Sequence, residues 1–146
     1  MDDRVSRLKT PQECESFARN ALRQDRSDLA IEAKQQAVKL RAAAYGATTD
    51  AERECLEAVY AYEEILSAKN GKRTHASRTW QLIKRHGIIG ATERAVNRTD
   101  ETVAFAALQE AGLSQYAFEA VILRHAPLFS IAAVERSRER MSRFGA

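Results

Sequence analysis

The chain has 146 residues, a formal net charge of +3 and a hydrophobic share of 45%. That length suits one domain able to build a core without metal or disulfide, and the hydrophobic share excludes a disordered chain. Six glycines and two prolines argue against a loop-rich all-β domain, and no run of about 18 apolar residues exists to span a membrane.

Residues 1–9 are mixed in charge and expected to fray. Thr10-Pro11-Gln12-Glu13 carries three agreeing start signals: Thr10 caps, Pro11 suits the first helical position, and Glu13 closes a capping box. Cys14, Phe17, Ala18, Ala21 and Leu22 then recur at helical spacing. A second helix, capped by Ser27 or Asp28, carries Ala30, Ala33, Ala37, Leu40 and Ala44 and stops at Gly46. Residues 10–46 therefore read as a helical hairpin.

Thr49-Asp50-Ala51-Glu52 opens a longer helix over 49–70, ended by Asn70-Gly71. Its apolar stripe of Cys55, Val59, Tyr62 and Leu66 is widened by Leu56, Tyr60 and Ile65, so neighbours are expected on two sides. The segment 71–98 begins as a polar connector. A helix from Ala76 to His86 follows, presenting Ala76, Trp80 and Ile83, and Gly87 separates it from a short helix through Asn97. Over 99–146, Thr99 or Asp100, Ser114 and Ser130 are the expected caps of three more helices. Val103, Ala104, Ala107, Leu108 and Ala111 line the first of these; Phe118, Val121, Ile122 and His125 the second; Ile131, Val134 and Met141 the third. The expected fold is an all-α, single-domain bundle of about eight helices, with the N-terminal antiparallel hairpin packed on the long third helix.

Ala18, Ala30 and Ala37 stand where a tetratricopeptide repeat needs small residues at its helix crossing. Asn20-Ala21-Leu22-Arg23-Gln24 and Asp28-Leu29-Ala30-Ile31-Glu32-Ala33 are similar to its turn and second helix. Residues 11–44 thus resemble a single tetratricopeptide-type hairpin. The usual proline after the second helix is absent, with Ala42 near that place, and no second copy follows. An alanine-rich helix pair of no particular family has the same pattern. The resemblance implies a scaffold for protein contacts and no catalytic residue. A lone repeat cannot bury its own face, which is why packing on the next helix is expected.

Charge is unevenly spread. Residues 1–68 hold ten Lys and Arg against thirteen Asp and Glu; residues 99–146 hold five against six. Residues 69–98 hold eight basic residues against Glu93 alone, together with His75, His86 and Trp80. Clustered cations release counterions from a nucleic-acid backbone and bind it without reading its sequence. The connector Lys69-Asn70-Gly71-Lys72-Arg73-Thr74-His75 also runs into a helix N-terminus, whose free N–H groups favour an anion. The leading expectation is a non-enzymatic nucleic-acid-binding module, for DNA or RNA. Phosphates would be contacted by Lys69, Lys72, Arg73 and Arg78, with Lys84 and Arg85 as supporting charges.

Competing readings stand beside it. Glu63 and Glu64 are placed to neutralise Lys84 or Arg85. Trp80 is a base-stacking platform or, on a stripe with Ala76 and Ile83, part of the core. A helix-turn-helix over 76–97 fits poorly, because Ile83 falls at a small-residue position and Glu93 at an apolar one. Arg136, Arg138, Arg140 and Arg143 alternate with Glu135 and Glu139, the pattern of a solvated helix face. The alternative function is a helical protein-interaction or self-association domain, with a protein partner or a homo-oligomer and no nucleic-acid contact.

No Walker loop, dinucleotide glycine motif or zinc-spaced cysteine pair is present, and His75, His86 and His125 are scattered. No cofactor, metal or membrane partner is expected, and no residue nominates itself for catalysis. Cys14 and Cys55 sit on apolar helix sides, as buried reduced thiols do. The segment Met1-Asp2-Asp3-Arg4 lacks the layout of a signal peptide, so a cytoplasmic location is expected.

Overall fold

The helix starts written in the sequence are largely the starts the chain uses. The computed structural model describes residues 1–98 and 101–143. Among them are eight α-helices and two single-turn 3-10 segments, with no strand, so the fold is all-α. The chain divides into two units, Met1–Ala47 and Thr48–Ala146.

The first unit holds α1 (Asp3–Ser6), α2 (Pro11–Arg23) and α3 (Ser27–Tyr45). Residues 1–9, expected to fray, are instead tied down. Asp2 caps α1 and Val5 is fully buried. The Asp2 N–H donates to Glu32 at 2.7 Å, and the Gln36 side chain donates to the Leu8 carbonyl at 3.3 Å. One apolar side chain explains the difference: burying Val5 contributes roughly 1.5–3 kcal/mol, and its charged neighbours stay in water.

The capping box of α2 forms as expected. Thr10 Oγ1 accepts from the Glu13 N–H at 3.1 Å, and Glu13 Oε1 accepts from the Thr10 N–H at 3.1 Å. A tight turn with Asp25 at φ 56° leads into α3. Neither Ser27 nor Asp28 caps that helix; Arg26 occupies the cap position without a side-chain bond, and Asp28 lies in the first turn. Ala18, Ala21, Leu29, Ala30 and Ala33 form the hairpin core, with Phe17 packed on it. Arg41 reaches across to Glu15 at 2.8 Å. Gly46, at φ 85°, ends α3 in the left-handed conformation a glycine adopts without strain.

The second unit holds α4 (Asp50–Asn70), α5 (Ser77–Val96), α6 (Glu101–Glu110), α7 (Phe118–Arg124) and α8 (Ile131–Arg143). Thr49 caps α4 by accepting from the Glu52 N–H at 3.1 Å. Cys55, Leu56 and Val59 are buried along with Ala51, Ala58 and Ala61, and α4 packs against α5, α6 and α7, as its wide apolar stripe requires. Phe105, Leu113, Val121 and Ile122 complete this core. Gly87 breaks α5 at φ 77° and ψ 173°, a backbone geometry reserved for glycine, where the sequence placed a boundary between two helices.

The expected cap at Thr99 or Asp100 lies outside the described residues, as does the side chain of Val103. Ser114 opens a 3-10 turn rather than a helix, and α7 starts only at Phe118. Ser130 does cap α8, accepting from the Ala133 N–H at 3.1 Å. Both cysteines are buried and in no disulfide, and burial pushes the Cys55 thiol up to about 11.

Candidate anion-binding surface

The basic stretch is organised around an acid. Glu63 follows Cys55 and Val59 at four-residue steps on one face of α4 and is only 1% exposed. A carboxylate buried that deeply needs compensation. Its Oε2 accepts from the Ala76 N–H at 2.8 Å and from the Trp80 indole N–H at 2.7 Å, with His75 Nδ1 at 3.5 Å. Arg73 lies 3.4 Å from its Oε1 and 3.2 Å from Glu64. Ser67 also accepts from the Thr74 N–H at 2.9 Å. The connector is therefore folded back onto the end of α4 and aims the start of α5.

One sequence expectation changes here, and one open alternative is decided for packing. Glu63 and Glu64 pair with Arg73, not with Lys84 or Arg85. Trp80 is half-buried, its indole N–H is engaged, and its ring is tilted against Tyr60 at 5.4 Å, so it is a packing residue and not a free stacking platform.

Of the six cations singled out in the sequence, Arg73 thus turns inward. Lys69, Lys72, Arg78, Lys84 and Arg85 are exposed and, among the described residues, have no hydrogen-bond or ion-pair partner. Helical spacing puts Arg78, Lys84 and Arg85 on one side of α5 around exposed Gln81, away from buried Ile83. Arg78 and Arg85 are two turns apart, about 10 Å along the axis.

A concavity of about 340 Å³ opens beside the start of α5, lined among others by Tyr62, Leu66, His75, Arg78, Thr79 and Arg98. No side chain caps this helix. Its first N–H groups and the arginines flanking them give the concavity a positive potential suited to an anion.

Elsewhere in this unit several charged groups are tied to one another or to the backbone. Arg140 is 5% exposed and pairs with buried Glu119 at 3.2 Å, while also donating to the Arg98 carbonyl at 2.7 Å. The basic set of α8, expected to be solvated throughout, therefore has one internal member. Burial raises the Glu119 carboxyl, and Arg140 only partly offsets this. Glu54 accepts from Arg124 at 2.6 Å and lies 2.8 Å from His125 Nε2. Burial opposes ionisation of Glu54, but the hydrogen bonds to His125 and Arg124 outweigh it and hold the carboxyl below its ordinary value. Glu93 accepts from the Ser130 N–H at 2.7 Å and so steadies the start of α8. A signal for two of these was present in the sequence. Glu63 continues the Cys55–Val59 stripe, and Arg140 continues the buried positions Ala133 and Ser137. A charge on an apolar stripe implies a buried counterpart.

Among the described residues, no three His, Cys, Asp or Glu side chains gather as a metal-binding set. Nor is any of their helices long and apolar enough to cross a membrane. No protein-family model, curated protein or solved structure gives a significant match to the chain.

Proposed function

We propose that the Thr48–Ala146 unit binds a nucleic-acid backbone electrostatically, without catalysing a reaction. The observation that carries this reading is the set of five exposed cations, Lys69, Lys72, Arg78, Lys84 and Arg85, that no carboxylate engages among the described residues. Where carboxylates are available, at Glu63, Glu64, Glu54 and Glu119, each already has an arginine partner. The unpaired cations are thus left to meet an external anion. Arg73 leaves the contact set proposed from sequence and acts instead as a support for the connector. Separately buried cysteines suit a reducing, cytoplasmic setting.

The test is binding of a fluorescent single-stranded or duplex oligonucleotide over a salt series. Affinity is expected to fall steeply, with a logarithmic slope near −4 for about five neutralised phosphates. Reversing Arg78, Lys84 and Arg85 to glutamate should abolish binding while the helical circular-dichroism signal stays intact. Affinity unchanged by that reversal would refute the reading.

A second reading, docking of a protein partner or of another copy, is favoured by apolar surface. Leu128 and Ile131 are exposed, Ile131 at 79%, beside a concavity of about 390 Å³ lined by Phe129 and Val134. The tetratricopeptide-like character proposed for α2 and α3 supports the same reading. Light scattering tests self-association: a dimer dispersed by Ile131→Asp would favour it, and a monomer would oppose it.

A further inference from the structure

We propose that the start of α5 seats a single phosphate group, held by the backbone N–H groups of Ser77, Arg78 and Thr79, the Thr79 hydroxyl, and the guanidinium groups of Arg78 and Arg98. This deepens the nucleic-acid reading and rests on it for the identity of the ligand: the phosphate would be one of a polynucleotide backbone.

The first observation is the state of the helix start. The Ala76 N–H is already taken by Glu63 at 2.8 Å. The next three N–H groups receive no side-chain cap and have no acceptor among the described residues. Three aligned donors at the head of the helical segment that precedes Gly87 suit a phosphate's oxygens and charge.

The second observation is independent of the helix. Thr79 is 3% exposed, lines the concavity, and its hydroxyl has no partner among the described residues. Its oxygen is not sealed from solvent, since the fully buried side-chain polar atom without a partner among the described residues is Ser137 Oγ, so the Thr79 hydroxyl is open to the concavity that the residue lines. Thr92, on the same helix and equally buried, shows the usual solution: its hydroxyl donates to the Ile88 carbonyl four residues back, at 3.0 Å. The residue four before Thr79 is His75, which lies ahead of the helix, so that internal partner is not presented. A phosphate oxygen in the concavity would supply it.

The third observation is charge. Arg78 and Arg98, twenty residues apart in sequence, line the same concavity, and neither side chain has a carboxylate partner among the described residues. The nearby negative charge of Glu63 does not compete for them, because its oxygens are occupied by Ala76, Trp80 and Arg73.

The experiment titrates inorganic phosphate into the ¹⁵N-labelled full chain, with oligonucleotide binding measured in parallel. Saturable shifts are expected at the Ser77, Arg78 and Thr79 amides. Thr79→Val should weaken phosphate roughly five- to tenfold, Thr79→Ser should restore it, and Arg98→Gln should weaken it about tenfold, all with unchanged helicity. Lys84→Glu with Arg85→Glu should leave the phosphate shifts in place while weakening the oligonucleotide. Shifts scattered away from residues 77–79, or equal affinity in Thr79→Val and wild type, would overturn the seat even if oligonucleotide still bound along α5. Shifts at residues 77–79 without any oligonucleotide binding would sustain the seat, assign it to a small phosphate, and reject the nucleic-acid reading.

Discussion

The two units place their charges differently. In Met1–Ala47 the pairs of Arg4 with Asp2 and Arg26 with Asp28 lie at the surface, and the half-buried Arg41 reaches out to a more exposed Glu15. Its interior is alanine, leucine, valine and Cys14. In Thr48–Ala146, by contrast, Glu63 and Glu119 are buried and Glu54 is nearly so, each answered by an arginine or histidine. Charge in the first unit decorates helices whose alanine faces already hold them together. In the second it positions segments, the connector before α5 and the start of α8, that lack enough apolar surface to place themselves. With the connector so placed, Arg78, Lys84 and Arg85 of α5 are exposed and have no carboxylate partner among the described residues.

If that contrast is real, its largest consequence is at Glu63. Glu63→Ala removes the acceptor of the Ala76 and Trp80 N–H groups and strands Arg73 beside a buried cavity. Breaking such a buried pair costs about 3–5 kcal/mol. Urea unfolding measures the loss directly. Trp80 is the only tryptophan, so its emission also reports the site, and a shift to longer wavelength is expected as the indole loses its partner. Glu63→Gln keeps one acceptor oxygen and should cost less. An unchanged urea midpoint in Glu63→Ala would show that the connector is placed by something else.

Glu54 gives a smaller, pH-dependent effect. Its folded carboxyl titrates below its unfolded value, so the stabilisation is complete above the unfolded carboxylate range, near about pH 4.3, and is lost as pH falls through the lower folded value. Because Glu54 is partly exposed, the contribution at neutral pH is about 1 kcal/mol. Glu54→Gln should therefore lie below wild type in stability at pH 7 and converge with it in acid. Two parallel stability curves across that range would contradict the tie between α4 and α7.

Where helix boundaries were readable, their causes are local. The Thr10–Glu13 box, the Thr49 cap, Gly46, Gly71 and Gly87 each act within four residues of the backbone they govern. Burial of charge was not readable in the same way. Arg140 meets Glu119 across 21 residues and Arg124 meets Glu54 across 70, and an arginine beside glutamates on a helix looks solvated until its tertiary partner is known. The cationic surface fell between these cases. Its position in the chain was plain from charge counting, but the inward turn of Arg73 depended on Glu63 being buried. The Thr79 hydroxyl, without a partner among the described residues, had no sequence signature, since threonine in a helix ordinarily bonds to its own backbone.

The sharpest small test of the contrast is Asp28→Asn in the first unit. Arg26 grips Asp28 through two hydrogen bonds, at 3.1 and 3.0 Å, and this holds the carboxyl below its usual range. Taken alone, a lowered pKa implies stability lost in acid. Here the partners are two residues apart, so the same pair can form in the unfolded chain and the difference between states largely cancels. Both side chains are exposed, and salt screens what remains. The expected result is a depressed Asp28 titration by NMR together with a urea midpoint that Asp28→Asn does not move. A clear midpoint shift would mean that surface charge holds the first unit together after all. The distinction would then rest on how far apart in sequence the partners lie, not on whether they are buried.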